Sequence, residues 1–146
     1  MRRNWVKWLW TLLLIANIAF IWGQSSLPGT QSQQISDEFL GILGFLNVLF
    51  GEKAHLIVRK IAHVLEFTSL GVLLAGSFRH HLRDAALCGL LIACVDETIQ
   101  LCSPGRASMI QDVWIDFAGV LAGIAALYFG YILWKKTRKT NHSKEN

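Results

Sequence analysis

Residues 96–116 read DETIQLCSPGRASMIQDVWID. An apolar run, AALCGLLIAC (85–94), leads into this stretch, and another, FAGVLAGIAALYFGYILW (117–134), leads out of it. A helix rises 1.5 Å per residue, so each run with its flanks approaches the length needed to cross about 30 Å of hydrocarbon. The polar stretch is then the connection between two spans, with Pro104 and Gly105 supplying a tight reversal. Its carboxylates, at 96, 97, 112 and 116, fall at helix ends. A charge near the bilayer centre costs roughly 2.5–3.5 kcal/mol on insertion scales, which disfavours lipid-facing positions for so many acids.

Two further runs have comparable length, residues 5–22 and 56–78. The chain is 53% hydrophobic and only 16% charged, a balance that excludes an ordinary soluble domain of this size. The expected fold is all-α, an integral membrane four-helix bundle. Residues 1–134 form its transmembrane domain, with spans at about 5–22, 56–78, 85–101 and 113–134, and residues 135–146 form a basic cytoplasmic tail. Trp5, Trp22, Trp114 and Trp134 stand where interfacial anchors belong. MRRNWVK resembles the basic start of a signal peptide. The following WGQSSLPG offers no small-x-small cleavage site, so the first run is expected to be retained.

Basic residues gather on the cytoplasmic side of a membrane protein. Placing both termini inside puts ten of the fourteen Lys and Arg there and leaves most acids in the outer half, so both termini are expected to be cytoplasmic. The net charge of +4 thus reflects a division of charge across the membrane, and no nucleic-acid partner is implied. The first outer loop, residues 23–55, changes composition midway. GQSSLPGTQSQQ reads as a polar, turn-rich strip, whereas the apolar continuation predicts an interfacial or re-entrant helix at about 36–50, beginning after Ser36. Cys88, Cys94 and Cys102 lie six and eight residues apart along one helix. That spacing suits neither a disulfide framework nor a zinc site, and they read as packing residues.

Helical spacing brings the polar groups together. Arg59, His63 and Glu66 share one stripe of the second span, with Lys60 beside it. Asp96, Glu97 and Gln100 close the third span, and Asp112 and Asp116 open the fourth, on the stripe that continues through Gly119 and Gly123. Each residue alone is as readily a snorkelling cation or a helix-to-helix hydrogen-bonding group. Together they predict one hydrated cavity opening outward. Arg106, at the lip, could grip a phosphate or carboxylate, or pair with Asp112. Gly119 and Gly123 form a small-xxx-small packing face.

RKIAHVLEFTSLGVLL (59–74) followed by DETIQLCSPGRASMIQDVWIDFAGVLAG (96–123) resembles the VanZ-like family of bacterial membrane proteins. The resemblance rests on a basic pair with His and an acid, then D-E-x-x-Q, a P-G-R turn and paired acids before a Gly-spaced helix. Lys60, His63, Glu66, Asp96, Glu97, Gln100, Arg106, Asp112 and Asp116 occupy those positions; Asp116 stands where Asn is common. It implies a multi-pass protein of the bacterial cell membrane, whose namesake confers low-level teicoplanin resistance. The pocket is expected to bind membrane lipid or a lipid-linked envelope precursor through Lys60, Asp96, Gln100 and Arg106. The alternative is a membrane-embedded hydrolase or transferase with His63, Glu66 and Glu97 as catalytic groups. In that reading Asp112 and Asp116 would hold a divalent cation, Mg²⁺ or Ca²⁺, the hard ions that carboxylates favour.

Overall fold

A computed structural model describes residues 2–42, 51, 54–78, 81–106 and 109–142. Among them lie five helices: α1 (Arg2–Ser25), α2 (Gly29–Ile42), α3 (Ala54–Phe78), α4 (Leu82–Cys102) and α5 (Ile110–His142). Four are long and apolar enough to cross a membrane, over Trp5–Ser25, Leu56–Phe78, Leu82–Cys102 and Ile110–Arg138. They alternate in direction, so the end of α1, the start of α3, the end of α4 and the start of α5 meet at one end of the bundle. That end is called the site end below.

The centre of the bundle is the crossing of α3 and α5, the most extensive helix pair in the fold. Gly71 of α3 lies against the backbone of Val120, and Gly123 of α5 lies against the backbone of Thr68; neither leaves space for a β-carbon. Gly119 meets the backbone of Val64 one turn away. Small residues here let two backbones touch, which matters in lipid because burying apolar surface between helices gives little driving force there. The side chains of Phe67, Leu70, Leu74 and Val120 fill the space on either side and are fully buried. Gly89 of α4 opens the hole that receives Val120.

α1 packs less deeply and presents Trp5, Trp8, Leu9 and Leu12 outward. One polar contact ties it to α3, where Asn17 Nδ2 donates to Ser69 Oγ at 2.7 Å. Such interhelical bonds in membrane proteins average about 0.6 kcal/mol, because the separated helices find other partners. Asn17→Leu is therefore expected to lower stability in detergent by under about 1 kcal/mol. A loss several times larger, measured by thermal melting, would mean that this bond organises α1.

Two boundaries differ from the expectation. α2 begins at Gly29 rather than after Ser36, so the turn in the polar strip is confined to residues 26–28 and the rest of the strip is helical. Pro28 pre-sets the first turn, Ser32 N–H donates to its carbonyl, and Ser32, Ser36 and Leu40 form a buried stripe at four-residue spacing. At 14 residues α2 is about 21 Å long, too short to span. Residues 43–50 of the expected loop helix lie outside the described residues. At the other end α5 runs without a break into the basic segment, as far as His142. Arg138 lies 5.3 Å over the ring of Trp134 there, a cation on an aromatic anchor. Among the cysteines, Cys88 packs on the core as expected, but Cys94 and Cys102 are exposed on the outer surface of α4.

Candidate functional site

The α4–α5 connection shapes the site. Arg106 N–H donates to the Ser103 carbonyl, and Gly105 takes φ +73 behind Pro104, the backbone a type II reversal demands. The left-handed region favours glycine at that position. Ser103 Oγ lies 2.9 Å from the Ser25 carbonyl, to which it donates, and Gly29 N–H donates to the Pro104 carbonyl at 2.9 Å. The turn is thus fastened to the end of α1 and the start of α2. This holds the last turn of α4 and the first of α5 over α3.

Beneath the turn lies a cavity of about 30 Å³, walled by Arg59, Lys60 and His63 of α3, Glu97 and Gln100 of α4, and Asp112, Ile115 and Asp116 of α5. Three helices contribute, as their stripes predict. Glu97 and Gln100 are buried, and so are Asp96 and Asp116, at 0% and 2% exposed. Gln100 Nε2 donates to Asp96 Oδ2 at 2.8 Å and holds that carboxylate in place. His63 stacks on Phe67, one turn further along α3, with 6.4 Å between ring centroids. Its Nδ1 lies 3.8 Å from Asp116 Oδ1.

The cations are distributed differently from the sequence expectation. Lys60 Nζ donates to Asp112 Oδ1 at 2.9 Å, with half of the lysine side chain in the open. An ion pair so exposed contributes about 0–1 kcal/mol and mainly sets the position of both groups. Arg106 does not reach Asp112. Its Nη2 donates to the Gln24 carbonyl at 3.0 Å, making it a clamp between the α4–α5 turn and α1, outside the cavity wall. Burial lowers the Arg106 pKa from its ordinary value, as does Arg59, while Asp96, Glu97 and Glu66 pull it back up. Its positive field therefore falls on the buried acids.

Glu66 is half-buried and is not among the residues lining the cavity. Arg59, one turn from His63 on the same stripe, stands in the wall as that spacing predicts, although it is not among the residues expected to bind or catalyse; Ile115 of α5, which the sequence does not single out, completes the wall. The structure also joins His63, Asp96 and Asp116, whereas the sequence reading grouped Asp116 with Asp112.

Two larger spaces adjoin the cavity and share a wall residue with it. An apolar groove of about 300 Å³ runs along the outer face of α3 beside Lys60, lined by Ile57, Ile61, Val64 and Leu65. A second space of about 210 Å³ separates α2 from α3 and contains Arg59, with Thr30, Gln33 and Ser36 opposite.

No curated protein and no solved structure matches the sequence. The family model VanZ/LLP1 matches residues 8–134, which take in the second and third spans, most of the first and fourth, and every residue of the cavity wall. The chain therefore belongs to the VanZ/LLP1 family of membrane proteins, with four helices among the described residues able to cross a membrane.

Proposed function

We propose that the protein binds a membrane lipid or lipid-linked envelope precursor with an anionic headgroup, at the outer side of a bacterial membrane with both termini cytoplasmic. One observation carries this reading: Lys60 belongs both to the polar cavity and to the apolar groove on the face of α3. An amphiphile with a charged head and a long tail matches that junction. The cavity itself is too small for a headgroup, so the headgroup sits at its mouth on Lys60 and Arg59, and the tail follows Ile57, Ile61 and Leu65. The distribution of Lys and Arg along the chain supports the orientation. Holding a lipid-linked precursor at the outer leaflet would alter a glycopeptide's access to it, which accords with the teicoplanin resistance that the resemblance implies.

The test is lipid retention by the purified protein, measured by native mass spectrometry in nanodiscs with and without a polyprenyl phosphate. Wild type is expected to retain the anionic lipid over a zwitterionic one. The double substitution Arg59→Ala with Lys60→Ala should reduce retention about tenfold, the scale of one or two charge-assisted contacts. Ile61→Trp, which fills the groove and leaves the charges intact, should reduce it as well. Equal retention of neutral and anionic lipid by wild type would defeat the proposal.

The enzymatic alternative draws on the His63–Asp116 approach, the arrangement of a base and its orienting acid. Turnover of a lipid-linked phosphate or glycan that is lost in His63→Gln with lipid retention unchanged would favour it.

A further inference from the structure

His63, Asp96 and Asp116 each offer one ligand atom, and the three atoms lie within 4.8 Å of one another. Carboxylate clusters are common on protein surfaces, but this one is buried. Asp96 and Asp116 are almost wholly removed from solvent, and each keeps one oxygen, Asp96 Oδ1 and Asp116 Oδ2, without a hydrogen-bond partner among the described residues. His63 Nδ1 is likewise buried and unpartnered there. Leaving several charged or polar atoms unsatisfied in a buried site costs about 1–3 kcal/mol apiece, more for charged groups. Arg106 and Lys60 do not meet this need, because one donates to a backbone carbonyl and the other to Asp112.

From this geometry we infer that His63, Asp96 and Asp116 form a binding site for a divalent transition-metal ion, Zn²⁺ in preference to Mn²⁺. Three donor atoms at the 4.8 Å limit put a central ion about 2.8 Å from each, so side-chain rotations of under about 1 Å reach the 2.0–2.2 Å bonds that zinc makes to nitrogen and oxygen. The adjoining 30 Å³ cavity leaves room for a water or two as further ligands. One imidazole with two carboxylates is a mixed nitrogen and oxygen set. It selects zinc or manganese over Mg²⁺ and Ca²⁺, which favour oxygen throughout, and zinc binds such sets more tightly than manganese. Gln100 acts as a positioning residue: its bond to Asp96 Oδ2 fixes the carboxylate and leaves Oδ1 free for the ion, as outer groups do in metal sites. Stacking on Phe67 fixes the His63 ring in the same way. Two carboxylates and one cation leave no large net charge buried between the helices.

The site does not depend on the lipid reading, and the experiment uses metal alone. The full chain is purified in detergent with a histidine-free tag, stripped with chelator and titrated with Zn²⁺, Mn²⁺, Mg²⁺ or Ca²⁺, reading bound metal by mass spectrometry and melting temperature in parallel. One Zn²⁺ per chain is expected, with a rise in melting temperature that Ca²⁺ and Mg²⁺ do not produce. His63→Gln, Asp96→Asn and Asp116→Asn should each weaken Zn²⁺ binding more than tenfold and abolish that rise. Gln100→Ala should weaken binding by about tenfold, the lower range for an outer-shell group. Asp84→Asn, an exposed acid at the opposite end of the bundle, should leave it unchanged. Because the ligand variants are near-isosteric and every variant is first melted without metal, loss of fold is distinguished from loss of the site. The inference is overturned if folded wild type takes up no stoichiometric Zn²⁺, if Mg²⁺ or Ca²⁺ binds as tightly as Zn²⁺, or if folded Asp96→Asn and Asp116→Asn bind Zn²⁺ like wild type.

Discussion

Replacing Gly123 by leucine is expected to separate α3 from α5 and to cost the bundle about 3 kcal/mol or more. A β-carbon at Gly123 would run into the carbonyl of Thr68 and the backbone of Val72 and Gly71, atoms that cannot rotate away. Overpacking a core ordinarily costs about 1–3 kcal/mol when side chains can give, and here only movement of a whole helix relieves the clash. Because this crossing carries the most extensive contact in the fold, moving it also displaces Asp112 and Asp116 from α3. The measurement is thermal unfolding in detergent beside Gly130→Leu, a control on the same helix with nothing within 4 Å of its added β-carbon. If both variants melt together, the α3–α5 contact is not what holds the bundle.

Phe67→Ala is expected to cost about 3 kcal/mol, at the lower end of the range for emptying a buried aromatic site. Phe67 is fully buried, and its ring underlies His63. The lower end applies because, in lipid, the gain from withdrawing apolar surface from water is small, and the loss is chiefly of dispersion contacts. Phe67→Leu, which keeps most of the volume, should lose less than half as much. A melting temperature for Phe67→Ala within a degree of wild type would show that neighbours close the cavity without penalty.

Run length was a sound guide to the spanning helices, because a bilayer leaves few alternatives to about 20 consecutive apolar helical residues. Weaker local signals misled at α2. TQSQQ looks like loop by composition, yet Pro28 starts a helix there and the bundle buries the serines at positions 32 and 36. At the site, helical spacing puts Arg59 with His63, Glu97 with Gln100 and Asp112 with Asp116, and each pair lines the cavity, since residues three or four apart share a face. It could not assign partners across helices. Arg106 is the clear example: three residues past Ser103 on a tight turn, it could reach several acids, and only the docking of that turn on α1 directs it to the Gln24 carbonyl.

By itself, then, the sequence determined four spans, their alternating order and the collection of polar groups at one end, because these follow from hydrophobic length and from the cost of charge in hydrocarbon. The tertiary structure decided which groups meet: Lys60 with Asp112, Gln100 with Asp96, and His63 with Asp96 and Asp116. Those pairings depend on the rotation and separation of α3, α4 and α5. Both are set by backbone contact at Gly71, Gly119 and Gly123 and by the hole at Gly89, far from the charged residues themselves. A local pattern encodes a face, whereas the distance between two faces is a property of the packed bundle.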